Sequence, residues 1–129
     1  MGLAEKRAME KAKEWLPGRE AELKEICGGT LPYEVDWKTF ETDAKAIEWL
    51  EFNGPQQVGA ALRGICRDEV GKQAVREAVK KVVLRNAAEA EAKALAFEGG
   101  VLTLCCAFAK SPGGRFNDRE IRTFLESRL

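Results

Sequence analysis

The stretch from Lys93 to Phe108, Lys-Ala-Leu-Ala-Phe-Glu-Gly-Gly-Val-Leu-Thr-Leu-Cys-Cys-Ala-Phe, constrains the fold more than any other part of the chain. Its apolar residues alternate with period two, whereas the segments on both sides repeat at helical spacing. A β-hairpin turning on Gly99 and Gly100 accounts for this. With a two-residue loop the facing pairs are Glu98 with Val101, Phe97 with Leu102, Ala96 with Thr103, Leu95 with Leu104, Ala94 with Cys105 and Lys93 with Cys106. One face then collects Leu95, Phe97, Leu102, Leu104, Cys106 and Phe108, with Lys93 at its edge. The other carries Ala94, Ala96, Thr103, Cys105 and Ala107. A three-residue loop would set Leu95 against Thr103 and mix the faces, a slip that is selected against where one face is buried. Two adjacent glycines also suit a type I′ turn, in which both central residues have positive φ.

The remainder reads as helices around this hairpin. Leu3 to Leu16 places Ala8, Ala12, Trp15 and Leu16 on one thin stripe, and Pro17 is expected to end that helix or begin the next. Arg19 to Cys27 continues in helical style up to Gly28-Gly29, a C-terminal signal. Leu31 to Val35 is extended, because the residue before Pro32 is pushed out of the helical region. Asp36, Asp43 and Asp68 are N-cap candidates, and Gly54-Pro55 separates two helices. The helix after Pro55 carries Val58, Ala61, Leu62, Ile65 and Cys66 inward. The one after Asp68 carries Val70, Ala74, Val75, Ala78 and Val79. Val82 to Leu84 is a strand, and a last helix starts near Asn117 or Asp118 with Ile121, Phe124 and Leu125 inward.

The expectation is an α+β fold, with helices on one small antiparallel sheet of about three strands in a meander. A chain of 129 residues makes one domain, read here as a helical arm over 1–27 and an α+β body over 30–129. The arm's stripe is too thin to hold a helix alone, so it packs on the body or on a partner chain.

Composition removes several functional classes. The chain has no histidine, which takes away the commonest general base and the commonest metal ligand. Serine–histidine and cysteine–histidine nucleophile systems go with it, as do histidine-containing zinc sites. The four cysteines, Cys27, Cys66, Cys105 and Cys106, contain no Cys-x-x-Cys spacing. Cys27, Cys66 and Cys106 lie on apolar stripes and read as small buried hydrophobes in a reducing compartment. Cys105, on the alanine-rich face, would be reactive only if that face is open and a cation lies close. No cofactor or metal site is expected, and no catalytic residue is assigned.

Net charge is zero, which gives no general attraction to nucleic acid or to anionic membrane. Lys72, Arg76 and Lys80 repeat on a helix, but Glu69 and Glu77 interleave at pairing distance. The Ser111–Asp118 loop has glycines and Arg115 beside a helix start, yet Asn117 or Asp118 caps those amides itself. Neither a nucleic-acid nor a membrane partner is expected, and the longest apolar run, Val101 to Ala109, falls far short of the roughly 20 residues needed to span a bilayer. With no recognisable signal peptide at Met1 to Trp15, the protein is read as soluble and cytoplasmic. Charge is polarised along the chain all the same. Residues 34–51 hold six acids against two lysines, and residues 63–85 hold seven bases against three acids. These segments either neutralise each other within the fold or offer complementary patches to a partner.

Tyr33, Trp37, Phe40, Trp49 and Phe52 make a dense aromatic cluster, which is either helical core or an exposed anchor surface. The functional expectation is a non-catalytic protein-interaction module that binds another protein or itself as a homodimer. Tyr33, Trp37, Trp49, Phe52 and Cys105 are its candidate surface. A small-ligand domain with an aromatic pocket near Trp37 and Trp49 is the first alternative. An enzyme using carboxylates or a cysteine is the second.

Overall fold

The computed structural model describes residues 1–129. In chain order the helices are α1 (Leu3–Cys27), α2 (Ala44–Glu48), α3 (Leu50–Asn53), α4 (Pro55–Ile65), α5 (Glu69–Ala78) and α6 (Asp118–Glu126). The strands are β1 (Tyr33–Val35), β2 (Lys81–Asn86), β3 (Ala94–Glu98) and β4 (Val101–Cys106). The fold is mixed α and β, as expected, but the sheet has four strands in the order β1-β2-β4-β3.

The antiparallel meander is therefore corrected in two respects. Leu31–Val35 supplies a strand of its own, and β2 lies between two parallel neighbours, β1 and β4, rather than beside β3. Only β3 and β4 are antiparallel. The Val82-Val83-Leu84 run explains the central place of β2, since a near-continuous apolar run suits a parallel strand enclosed by partners. The hairpin itself takes the expected pairing, Glu98 with Val101 through Ala94 with Cys105. Gly99 and Gly100 both have positive φ, 58° and 82°.

The register sorts the sheet residues into two faces. Tyr33, Val35, Val82, Leu84, Leu102, Leu104, Cys106, Leu95 and Phe97 face the helices, and all of them belong to or pack against the hydrophobic core. Leu95 and Phe97 are only half-buried, because β3 is an edge strand. On the far face Ala94, Ala96 and Glu98 are exposed and Val101, Thr103 and Cys105 half-buried. The same face carries Val83, which is buried at 7% exposure between Glu34 and Thr103 in register.

Several caps sit where side-chain chemistry puts them. Asp43 accepts from the Ala46 amide, Asp68 accepts from Gly71, and Asn117 and Glu120 form a reciprocal capping box at α6. Asp36 makes no cap hydrogen bond and instead accepts from Arg85 at 3.2 Å. α1 runs unbroken through Pro17, where an end or a restart was expected. Pro17 and Gly18 are exposed, while Ala8, Ala12, Leu23, Ile26 and Cys27 on both sides of them are buried in the common core. Packing of both halves against the same body outweighs the local break. Val70, assigned to the inward stripe of α5, is 80% exposed; Val75 and Val79 alone of that stripe are buried.

The two oppositely charged segments meet inside the fold. Lys81 pairs with Glu34 at 3.2 Å and Arg85 with Asp36 at 3.2 Å, both between β2 and the β1 region. Glu41 and Glu48 form no ion pair.

Candidate functional site

Residues 43–55 explain how two large aromatic rings come to lie in solvent. Asp43 fixes the start of α2, and the chain then advances through α2 and α3 with Ile47, Leu50 and Asn53 pointing inward at i, i+3 and i+6. Trp49 and Phe52, themselves three apart, share the opposite side and are 43% and 41% exposed. Their ring centroids are 6.1 Å apart at 81°, an edge-to-face pair. The Arg115 guanidinium carbon lies 5.0 Å from the centre of the Phe52 ring, in cation–π range.

A buried polar link sets Arg115 in place. Asn53 is fully buried; its Nδ2 donates to the Phe108 carbonyl at 2.9 Å, and its Oδ1 accepts from Arg115 Nη1 at 3.3 Å. Gln57 closes the adjacent backbone by donating to the Phe52 carbonyl at 3.2 Å and accepting from the Asp118 amide at 3.1 Å. The amides at the start of α6 are thus taken up by Gln57 and Asn117. Glu48, without an ion pair, faces α1, lining shallow depressions with Arg7 and Lys11.

The structure distributes the sequence-derived candidates unequally. Trp49 and Phe52 come together on the surface. Tyr33 is buried, its amide donating to Glu20 Oε2 at 2.8 Å, and burial drives its phenol well above the usual tyrosine range. Trp37 is half-buried and tilted against the fully buried Phe40, with centroids 5.8 Å apart. Neither Trp37 nor Trp49 lines any of the surface depressions.

Cys105 sits half-buried on the far face of the sheet, opposite Arg85 in register. Burial raises its thiol and the nearby Arg85 guanidinium lowers it by less, so the net shift is upward. Cys105 is accordingly not an activated nucleophile. Cys27, Cys66 and Cys106 are buried, and their thiols are raised above the ordinary range by burial.

Three features escaped the sequence. Arg115 was visible only as part of a glycine-rich loop, because its contact with Phe52 spans 63 positions. Cys66 Sγ lies 3.4 Å from Cys27 Sγ, joining the ends of α1 and α4, although 39 residues separate them. Phe116 and Phe124 stand with Leu95, Arg119, Glu120 and Thr123 around a shallow cleft between α6 and the edge strand β3. Leu95 carried a signal in the hairpin alternation and Phe124 in the α6 stripe, but nothing in the sequence brought the two together.

No group of three or more cysteine and acidic side chains is arranged to hold a metal ion, and no helix is long and apolar enough to cross a membrane. No protein-family model matches the chain, and no curated protein or solved structure is significantly similar to it, so the functional reading rests on the geometry of these residues.

Proposed function

We propose that this protein is a non-catalytic protein-interaction module whose docking patch is Trp49, Phe52 and Arg115. The observation that carries this reading is the exposed Trp49–Phe52 pair, packed edge to face and topped by a guanidinium. Tryptophan, other aromatics and arginine are the residue types enriched where binding energy concentrates in interfaces. A ring pair anchored by Leu50 and Asn53 below it loses little side-chain freedom when a partner closes over it.

The test compares wild type with Trp49→Ser/Phe52→Ser in affinity capture from native cells, followed by mass spectrometry. Both side chains are exposed, so the double variant keeps its fold, checked by an unchanged circular dichroism spectrum. A protein retained by wild type and lost by the variant, and binding the purified wild type directly, is the expected result. Identical capture by the two proteins counts against the patch.

A further inference from the structure

The edge strand β3 is a second unfinished surface. It is hydrogen-bonded only to β4, and its register runs without a bulge from Ala94 to Glu98. It contains no proline and no lysine, the usual devices that protect an edge. Lys93, just before it, is turned back, its Nζ donating to the Arg115 carbonyl at 3.1 Å and lying 4.9 Å from the Phe116 ring centre.

The hairpin geometry decides which backbone groups face outward. A two-residue loop makes Glu98 and Val101 a hydrogen-bonded pair, so Ala96 and Ala94 also bond inward to β4. The N–H and C=O groups of Leu95 and Phe97 therefore point away from the sheet, and neither residue takes part in any backbone bond outside the ladder. Beside this edge, on the helical side, lies the cleft with Leu95, Phe116 and Phe124 in its walls.

We propose that the occupant of this edge is a second copy of the chain, pairing β3 antiparallel with β3 to join two four-stranded sheets into one of eight. The strand complements itself in one register above all others. A two-fold axis through Ala96 sets the outward groups of Leu95 against those of Phe97 of the other copy, twice over, for four hydrogen bonds. Ala96 then faces Ala96 at the closer, non-bonded spacing, where small side chains let the strands approach. Leu95 faces Phe97 on the helical side, an aliphatic–aromatic cross-strand pair that extends the cleft floor. Ala94 faces Glu98, so no like charges oppose each other. Of the α6 charges, Arg119 and Glu120 line the cleft beside β3, so each copy brings one charge of each sign toward the axis and Arg119 of one copy can meet Glu120 of the other. This surface is separate from the Trp49 patch, and the inference stands without it.

Sedimentation velocity on the wild type over a concentration series is expected to show a species of twice the 14.3 kDa chain mass. Ala96 is exposed, so charged residues are tolerated there by the fold. Ala96→Lys and Ala96→Glu each set like charges directly opposite one another across the axis, and each weakens self-association by about tenfold or more. An equimolar mixture of the two restores it, because lysine then faces glutamate. Amide exchange at Leu95 and Phe97 of the wild type, which needs no variant, slows as concentration rises. A monomeric wild type overturns the proposal, including one that binds some other extended peptide at β3. So does a dimer that neither variant weakens, or that mixing fails to restore.

Discussion

Asn53 shows how much a single buried amide does here. Its side chain holds the Phe108 carbonyl in the core and Arg115 at the surface. Asn53→Ala leaves that carbonyl buried without its donor, and a loss of about 1–3 kcal/mol in the urea unfolding free energy is expected. Arg115 loses its seat over Phe52 in the same step, so the variant links stability to the docking patch. Cys106 acts through its proton. Burial pushes its thiol from 9.0 in the unfolded chain up to about 12, partly offset by a hydrogen bond with the Phe116 backbone. Between those two values the unfolded chain has released a proton that the folded one keeps, so unfolding is favoured as pH rises through this window and the contribution is intact below it. The urea midpoint is expected to fall from pH about 9 upward, and less steeply in Cys106→Ala; equal slopes would remove Cys106 as a cause.

At the scale of elements, α1 carries a removable cost. Gly18 lies in mid-helix on the solvent side, and a Cβ added there meets nothing within 4 Å. Gly18→Ala is expected to stabilise the protein by about 0.5–1 kcal/mol, read as a raised thermal midpoint. A lowered midpoint would mean that Gly18 has a role in α1 beyond the conformational cost of glycine. The elements that could be read from sequence are those defined by near neighbours. The β3–β4 register followed from two glycines and one alternation, and the α6 cap from Asn117 and Glu120. The parallel pairing of β1, β2 and β4 was not legible, because Val82-Val83-Leu84 has no alternation and its partners lie far away in the chain. The continuity of α1 escaped for a related reason: the forces that carry it past Pro17 come from α2, α4 and α5. Of the candidate site, the i, i+3 spacing of Trp49 and Phe52 was in the sequence, but their outward direction depended on which neighbours the core claimed. Ile47, Leu50 and Asn53 took the inward side, and an asparagine in that role carries no hydrophobic signal.

For the whole molecule, the placing of charge and of apolar surface tells a consistent story. The acidic and basic segments are partly cancelled between β1 and β2, through exposed pairs each worth only about 0–1 kcal/mol. What those pairs leave behind in the acidic segment are Glu41 and Glu48, which form no ion pair. Of the apolar surface, Trp49 and Phe52 lie at the patch and the half-buried Leu95 and Phe97 at the β3 edge, while Met1, Leu3, Val70 and Leu129 are exposed elsewhere.

The central place of β2 bears on how such a chain comes to be folded at all. The hairpin closes over a loop of two residues and can form early, whereas β1 reaches β2 across 49 positions, from Tyr33 to Val82. α4, packed between α1 and α6, has its apolar stripe covered from one side by a segment made early and from the other by one made late. During synthesis that stripe must wait for its second cover, and no fragment shorter than Tyr33–Cys106 contains the whole sheet. A protein cut anywhere between β1 and β2 therefore yields not a smaller version of itself but one piece whose β1 has no partner strand and another whose β2 is left as an unprotected edge.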